Sequence, residues 1–313
     1  MARTARPDVS DRTLGVLAVS FTTVVWGLVP IVLKQTHMPP VAFAMYRLWM
    51  GVLVYALVFL VTRRRLRWET IKVCALGGVF FGIDVALTFS AFKLASVANA
   101  TIIGGLAPVF IALGAARWFG ERLERRDLIF VALSFVGVGI VAIGSAGSPS
   151  WSPLGDAFAA ASTLSWTSYW LFSKRARRSV SALDYMATVM LVGAVTVTAV
   201  ALLFGLSGHV SLAPPRGTDW LWIWVVTLLP GATGHLLVAW SHRHLEAWLA
   251  SLITQCMPVV GSVAAWVLLG ESLTPLTIAG GLVVLGATAV IAVRETRRAA
   301  DVELDPPSPA PAG

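Results

Sequence analysis

Charged residues are scarce in this chain of 313 residues: they make up 13% of it, whereas 57% is hydrophobic. A soluble globular protein carries about 25% charged and about 45–50% apolar residues. The apolar residues gather in runs such as 13–33, 41–61 and 277–293, each close to the roughly 20 residues that cross a bilayer core. A soluble domain has no use for so many such runs, so the composition excludes a soluble protein.

Groups that bind metals or phosphates are also scarce. The two cysteines, Cys74 and Cys256, both lie inside apolar runs and provide neither a disulfide framework nor metal-ligand spacing. The segment His242-Arg243-His244 lacks further ligands nearby, and no Gly-rich phosphate loop of the Walker type occurs. We therefore expect no metal, no cofactor and no ATP-driven transport by this chain alone.

The apolar runs predict an all-α membrane protein of ten transmembrane helices joined by short connections. The first run is too long for the apolar core of a signal peptide, and no Ala-x-Ala cleavage site follows it. The tail 294–313 turns acidic and then Pro-rich, which is typical of a disordered segment. The predicted helices span 13–34, 40–61, 71–92, 97–119, 127–145, 154–173, 182–205, 219–241, 247–269 and 275–293.

The basic residues predict the orientation of the chain. Cytoplasmic ends of membrane proteins are enriched in Lys and Arg. If residues 1–12 are cytoplasmic and the chain crosses ten times, the outer face receives only Lys34, Lys93 and Arg216. We therefore predict a multi-pass protein of the cell membrane with both termini in the cytoplasm. The net charge of +8 then reflects topology and not nucleic-acid binding.

One block of sequence recurs 150 residues later. Residues 102–123 read IIGGLAPVFIALGAARWFGERL, and residues 252–273 read LITQCMPVVGSVAAWVLLGESL. The proline and the first glutamate of the earlier block, Pro108 and Glu121, recur in the later one at the same spacing. The alternative explanation is convergence of unrelated apolar helices. The repeat divides the chain into two five-helix halves at 13–145 and 154–293.

An odd number of helices in each half has a mechanical consequence. The second half must enter the membrane from the side opposite to the first, so the two repeats are inverted. Inverted repeats give two related conformations that open to opposite faces, which is the basis of alternating access around a site near the midplane.

Several short patterns recur in an order that resembles a known family. They are Trp26-Gly27 with Pro30, Pro40-x-x-Phe43-x-x-x-Arg47, Pro108-Val109-Phe110, Gly120-Glu121-Arg122-Leu123, Pro258-Val259, Gly270-Glu271-Ser272-Leu273 and Gly280-Gly281. Over about 13–293 the chain resembles the drug/metabolite transporter superfamily, and specifically its EamA-domain carriers. The resemblance implies a ten-helix bundle with a central cavity between two repeats. Members move amino acids, amines, nucleosides or other metabolites, often outward, and the aromatic-amino-acid exporters have aromatic-lined cavities.

Two ionisable residues lie inside predicted helices, where such groups are costly and often functional. At 1.5 Å per residue, Arg47 and Asp84 both lie roughly 12 Å below the outer interface on adjacent helices. Arg47 can bind a substrate carboxylate, and Asp84 can take up a proton or an amine. Alternatively, the two residues form a structural ion pair that holds the helices together.

Other candidates for the cavity are aromatic or polar. His235 is either a proton relay or a hydrogen-bonded packing residue. Aromatic side chains can stack on a flat or cationic substrate or simply pack, and Trp26 and Trp166 occupy similar places in the two halves. Asn99 and Gln255 are polar residues beside the repeated prolines, where Gln255 is either a substrate contact or structural. The remaining aromatic candidates are Tyr169 and Trp240.

Three prolines are candidates for kinks or hinges: Pro30, Pro108 and Pro258. A proline inside a helix removes a hydrogen bond and frees a carbonyl, which at membrane depth needs a protein partner or a water-filled cavity.

These features predict a secondary transporter of a small metabolite such as an amino acid or amine, with no catalytic residues. We expect an exporter that works by alternating access, as a monomer or a homodimer in the lipid bilayer, with protons as a candidate coupling ion. The alternatives are a polytopic enzyme acting on a lipid, which usually shows clustered acids or histidines at a membrane face, and a channel.

Overall fold

The computed structural model describes residues 9–94, 97–121, 124–146, 152–206, 211–270 and 272–304. Within these ranges the regular structure is helical, and no strand occurs. The helices are α1 (Val9–Gly27), α2 (Val29–Gln35), α3 (Pro40–Val61), α4 (Trp68–Leu94), α5 (Val97–Gly104), α6 (Ala107–Phe119), α7 (Arg125–Ala146), α8 (Pro153–Ala176), α9 (Ala182–Leu206), α10 (Asp219–Val226), a π-helical segment (Thr227–Gly234), α11 (His235–Ser241), α12 (Ala247–Thr254), α13 (Met257–Leu269) and α14 (Pro275–Leu304).

The predicted all-α membrane bundle is confirmed. Nine helical stretches of the described residues are long and apolar enough to cross a bilayer. The tenth predicted helix corresponds to α8, which has 24 residues but carries many hydroxyl side chains. Because α8 packs against α4, α5 and α6, several of these hydroxyls are buried in protein, among them Ser162, Thr163, Ser165 and Thr167. A helix enclosed by other helices does not need an apolar surface on every side.

Three of the ten stretches are broken in the middle. The breaks fall at Leu28, at 105–106 and at 255–256. Each following segment has a proline in its first turn, namely Pro30, Pro108 or Pro258. Proline is well placed at that position because the missing N–H would have had no intrahelical partner.

Matching segments of the two halves end in the same way. Both α6 and α13 end at a glycine in the left-handed conformation, Gly120 and Gly270, each with a φ of 69°. A residue with a Cβ is strained at that φ, so glycine is the natural residue at both positions. The segments that contain α6 and α13 thus share a break, a proline and a terminal glycine at an offset of 150 residues.

Contacts between α7 and α14 show how the halves are related. Thr274, just before α14, donates a hydrogen bond to the carbonyl of Gly144 near the end of α7 (3.2 Å). The equivalent positions, 150 residues away, also meet: Glu124, just before α7, lies 3.7 Å from Arg294 of α14. The start of each helix therefore lies beside the later part of the other. Equivalent helices run antiparallel, as two inverted repeats require.

Glycines allow close packing between α4 and α9. A Cβ on Gly78 would lie 2.6 Å from the Cβ of Val192, and one on Gly82 would lie 2.7 Å from the carbonyl oxygen of Gly193. Small residues four apart are the usual means by which membrane helices approach closely. This contact joins the first half to the second, because α4 and α9 belong to different repeats.

The helix α14 continues to Leu304. The first part of the predicted tail at 294–313 is therefore a continuation of this helix, and Arg294 forms an ion pair with Asp127 at 3.3 Å. Residues 305–313 and most of the predicted N-terminal segment 1–12 lie outside the described residues.

Candidate functional site

An aromatic cluster lies where α1, α4, α8 and α11 meet. We define it as Trp26, Phe81, Trp166, Tyr169 and His235. The ring of His235 lies 4.7 Å from those of both Trp26 and Phe81, and Trp26 lies 5.4 Å from Trp166 (centroid distances). Tyr169 Oη and His235 Nδ1 are 3.2 Å apart, within hydrogen-bond distance. The structure thus brings together four residues that the sequence predicted for the cavity.

The π-helical segment supports this cluster from one side. A π-helix shifts the backbone hydrogen bonds out of the α-helical register, and here Pro230 lies inside it. The carbonyl of Pro230 accepts a hydrogen bond from Trp26 Nε1 (2.8 Å), and that of Ala232 accepts one from Tyr55 Oη (2.9 Å). Side chains of α1 and α3 therefore hold the irregular backbone, as membrane depth requires.

Asp84 belongs to a buried cluster of three oxygen-bearing side chains. Its Oδ1 accepts hydrogen bonds from Ser162 Oγ (2.8 Å) and Thr88 Oγ1 (3.1 Å). The two hydroxyl oxygens are themselves 2.6 Å apart. Asp84 is 6% exposed and lies three residues after Phe81 on α4, so this hydroxyl cluster adjoins the aromatic cluster.

Arg47 is buried, and no counter-ion is in contact with it among the described residues. The side chain lies on α3 and is 6% exposed, and its Nε has no hydrogen-bond partner among the described residues. Its guanidinium carbon lies 6.0 Å from the ring centre of Phe89 on α4. Arg47 and Asp84 are close enough to interact electrostatically, but no ion pair within 4.0 Å joins them in the described part of the chain.

The two halves meet at this site through equivalent residues. Gln255 Nε2 donates a hydrogen bond to the carbonyl of Gly105 (2.8 Å), and these residues are 150 apart. The contacts between Thr23 and the carbonyl of Ile253 (3.5 Å) and between Thr163 and that of Ile103 (3.4 Å) are also related by the repeat. The helix breaks therefore lie at the interface between the repeats.

Among the described side chains, that of the predicted residue Trp240 does not join the clusters. The ring of Trp240 lies 4.3 Å from that of His244, near the end of α11 and away from His235. Asn99 belongs to α5, but its side chain lies outside the described residues. Pro30, Pro108 and Pro258 begin helical segments beside the breaks, and their role as moving hinges stays a prediction.

Several side chains of the site were not predicted from the sequence. Phe81, Tyr55 and Ser162 had no special status among many aromatic and hydroxyl residues. Two signals were present: Thr88 follows Asp84 by one helical turn, and α8 is unusually rich in Ser and Thr for a membrane helix. A buried carboxylate needs hydrogen-bond donors, and these hydroxyls were the available ones.

Ion pairs close the end of the bundle at which α1 begins, which we call the basic end. Arg12 donates to both carboxylate oxygens of Glu246 (3.0 and 2.7 Å) and lies 3.4 Å from Glu295. Lys174 lies 2.6 Å from Glu121, whose carboxylate also accepts hydrogen bonds from the backbone N–H of Ala247 (2.9 and 3.2 Å). Five helices are thereby tied together.

In the described part of the chain, no three His, Cys, Asp or Glu residues lie together in a way that could hold a metal ion. His242 pairs with Ser173 Oγ through its Nδ1 (2.8 Å). Burial, with the charges of Lys174 and Arg177, lowers the pKa of His242 well below its ordinary value, which disfavours the charged imidazolium.

Comparisons with known proteins give the family. The model of the EamA-like transporter family matches residues 13–143 and again 153–293. A protein of Salmonella typhimurium named "Probable amino-acid metabolite efflux pump" is 28% identical over 88% of this chain and 93% of its own length. Its Escherichia coli namesake is 25% identical with the same coverage of both chains.

Other similar proteins agree with this result. A protein of Archaeoglobus fulgidus named "Uncharacterized transporter" is 26% identical over 89% of this chain and 99% of its own length. A crystal structure superimposes with a TM-score of 0.76 at 22% identity and covers 93% of this chain and 99% of that one, which shows a shared fold. The repeated match over both halves shows that this multi-pass membrane protein belongs to the EamA-like transporter family.

Proposed function

We propose that the protein is a secondary exporter of small metabolites that carry a carboxylate, with amino acids as the leading class. The observation that carries this proposal is Arg47, a buried guanidinium that has no carboxylate in contact within the part of the chain that the structure describes. A buried charge is strongly destabilising unless it is paired. A substrate carboxylate would supply the missing partner, and guanidinium groups suit carboxylates because they donate two parallel hydrogen bonds.

The neighbours of Arg47 fit the remainder of an amino acid. Asp84 lies near enough for electrostatic interaction and offers a carboxylate to a substrate ammonium group. The aromatic cluster offers apolar and π surfaces to a side chain. The printed names of the Salmonella and Escherichia coli relatives support the same substrate class.

Asp84 is also the leading candidate for proton coupling. Three contacts join Asp84, Thr88 and Ser162 at 2.6–3.1 Å. If each contact is a hydrogen bond, three protons are needed, and the two hydroxyls supply only two. A proton on Asp84 completes the set. Loss of that proton would leave the carboxylate free to bind a substrate ammonium group.

Transport by alternating access agrees with the arrangement of the halves. The breaks of the helices, the π-helical segment and the two Trp residues all lie where the repeats meet. Broken helices at a repeat interface are typical of carriers that bind substrate near the midplane. We place the basic end in the cytoplasm because Lys and Arg are enriched there, which makes the network of Arg12, Glu121, Lys174, Glu246 and Glu295 a cytoplasmic closure. On this proposal the protein lies in the cell membrane.

The alternatives have less support. An enzyme that acts on a lipid needs reactive groups at a membrane face, whereas Glu121, Glu246 and Glu295 at the basic end are engaged in ion pairs with Arg12 and Lys174. A channel does not require inverted repeats with a broken helix in each.

Reconstitution into liposomes tests the proposal. Liposomes that contain the purified protein are loaded in turn with labelled amino acids, their decarboxylated amines and nucleosides. Flux of each compound across the membrane is measured with and without a pH gradient. We expect flux of at least one amino acid above that of empty liposomes, with little flux of nucleosides. Flux of none of these compounds would overturn the proposal, and a preference for amines over the parent amino acids would refute the role of Arg47.

A further inference from the structure

A pocket lies at the basic end, outside the site described above. It is formed where α6 and α8 end, has a volume of about 360 Å³ and is open to the surface. Its lining residues are Arg117, Trp118, Phe119, Arg175 and Arg178. Ligand pockets of proteins have volumes of about 300–1,000 Å³, so this pocket suits a small polar group.

The three arginines of the pocket have no acidic partner in the described part of the chain. Two acids at this end of the bundle are already engaged, Glu121 with Lys174 and Glu246 with Arg12. Arg178 lies over the ring of Phe119, with its guanidinium carbon 4.8 Å from the ring centre. Such stacking orients a guanidinium while leaving its N–H groups free to donate.

The surroundings of the pocket belong to the membrane interface. Trp118 is 47% exposed and packs edge-on against Phe172 (5.7 Å), and tryptophan is enriched at the level of lipid headgroups. One turn before Arg117, toward the membrane core, Leu113 is 66% exposed. The arginines match the phosphate of a lipid molecule, and the apolar face beside them matches its acyl chains.

We infer that Arg117, Arg175 and Arg178 bind the phosphate headgroup of an anionic phospholipid at the basic end of the bundle. Arginine donates bidentate hydrogen bonds to phosphate oxygens, and basic pockets between membrane helices are suited to anionic headgroups. The acyl chains lie along the exposed face of α6 that contains Leu113. Lipid bound here joins the ends of α6 and α8, which are helices of different repeats.

The simpler explanation is that these arginines only add to the enrichment of basic residues at this end of the bundle. A matched control separates the two. Arg63, Arg65 and Arg67 lie in the exposed loop between α3 and α4 at the same end, so replacing them removes the same number of charges from the same face.

The test is native mass spectrometry of the full chain in detergent, titrated with dioleoyl phosphatidylglycerol. We expect the wild type and the triple variant Arg63→Gln, Arg65→Gln, Arg67→Gln to bind one lipid with similar affinity. We expect the triple variant Arg117→Gln, Arg175→Gln, Arg178→Gln to bind it roughly 30-fold more weakly, since each basic residue near an anionic lipid contributes a change of about three- to fivefold. Dioleoyl phosphatidylcholine should bind weakly to all three.

Several outcomes would overturn the inference. Equal weakening in the two triple variants would show a non-specific effect of charge. Full competition by millimolar inorganic phosphate would show a site for free phosphate and not for a lipid. If the pocket triple variant does not fold, the single variant Arg117→Gln, which changes an exposed side chain, should still weaken binding about threefold, and unchanged binding would refute the site.

Discussion

Gln255 donates a hydrogen bond from Nε2 to the backbone carbonyl of Gly105, and the two residues occupy equivalent positions of the two repeats. A contact between equivalent positions lies on the axis that relates the repeats. Two long side chains on such an axis would compete for the same space. One repeat therefore has glutamine at this position and the other has glycine, whose freed carbonyl accepts the hydrogen bond.

We expect Gln255→Leu to destabilise the protein and to slow transport. Leucine keeps the volume but leaves the buried carbonyl of Gly105 without its side-chain donor, which costs about 1–3 kcal/mol. Thermal unfolding in detergent and flux in liposomes measure the two effects. Gln35→Leu, at the exposed end of α2, is the control and should change neither. Equal effects of the two substitutions would contradict the axial role of Gln255.

The close contact of α4 and α9 predicts a contrast between two glycines. Gly82→Ala would place a Cβ 2.7 Å from the carbonyl oxygen of Gly193, a backbone atom that cannot move aside easily, whereas a Cβ on Gly139 of α7 meets open space. We expect Gly82→Ala to lower the thermal unfolding temperature by several degrees. Gly139→Ala should leave it unchanged or raise it, because alanine is favoured over glycine in helices by about 1 kcal/mol. Equal unfolding temperatures of the two variants would contradict this prediction, because they would show that α4 and α9 can move apart at little cost.

Local rules explain why much of the fold could be predicted. Pro108 and Pro258 end a helical segment through their own chemistry, and Gly120 and Gly270 adopt a conformation that few other residues tolerate. These effects depend on the chain nearby and on no distant partner. The inversion of the halves follows from the odd number of helices in each, so it also could be deduced from the sequence.

The π-helical segment could not be deduced in this way. Pro230 lies inside the predicted helix 219–241, where it indicates a distortion but not which one. The carbonyls that the distortion leaves free accept hydrogen bonds from Trp26 and Tyr55, which are about 200 residues away along the chain. The extra residue in the turn changes the direction of later side chains by about 100°. His235 is the first residue after the π-helical segment, and its ring faces the cluster.

The relation between Arg47 and Asp84 shows a similar limit. Counting residues from the helix ends placed both at one depth, and the structure puts them within electrostatic range of each other. The direction of each side chain depends on its neighbours. Asp84 is turned toward the hydroxyl of Ser162 on α8, a helix of the other repeat, and only the packing of the two repeats determines this contact.

Replacement of Arg47 should distinguish substrates by their carboxylate. We expect Arg47→Gln to lower flux of a transported amino acid by about 10- to 100-fold, since a hydrogen bond to a charged group contributes about 1.5–3 kcal/mol. Flux of the corresponding amine should change much less, and Arg47→Lys should be intermediate. Arg64→Gln, which removes an exposed partner of Asp184, is the control. An equal loss for amino acid and amine would indicate a structural role.

Replacement of Asp84 should separate coupling from binding. Asp84→Asn keeps the size and polarity of the side chain but cannot exchange a proton. We expect net flux to lose its response to a pH gradient while exchange of labelled for unlabelled substrate continues. Asp184→Asn, in the first turn of α9 and partly exposed, should retain the response. A gradient response that survives in both Asp84→Asn and His235→Ala would exclude both residues as proton sites.

The ion pairs at the basic end predict a dependence of stability on pH. Burial alone would raise the pKa of Glu246, but the hydrogen bonds and charge of Arg12 hold this pKa below its ordinary value of 4.5. A lowered pKa in the folded state gives stability that is present above the ordinary value and is lost as the pH falls through the folded value. We therefore expect Glu246→Gln to be less stable than the wild type by about 1–3 kcal/mol at neutral pH. This loss is smaller than that for breaking a fully buried ion pair, because the Glu246 side chain is 31% exposed.

This difference between the wild type and Glu246→Gln should remain constant from neutral pH down to about pH 5 and shrink below pH 4.5, as Glu246 itself becomes protonated. Thermal unfolding at a series of pH values measures it. Glu69→Gln is the control, because Glu69 pairs with Lys72 on the surface with 75% of its side chain exposed and should show no such difference. A stability difference that grew as the pH fell would contradict this prediction, because it would mean that Glu246 stabilises the basic end in its protonated form.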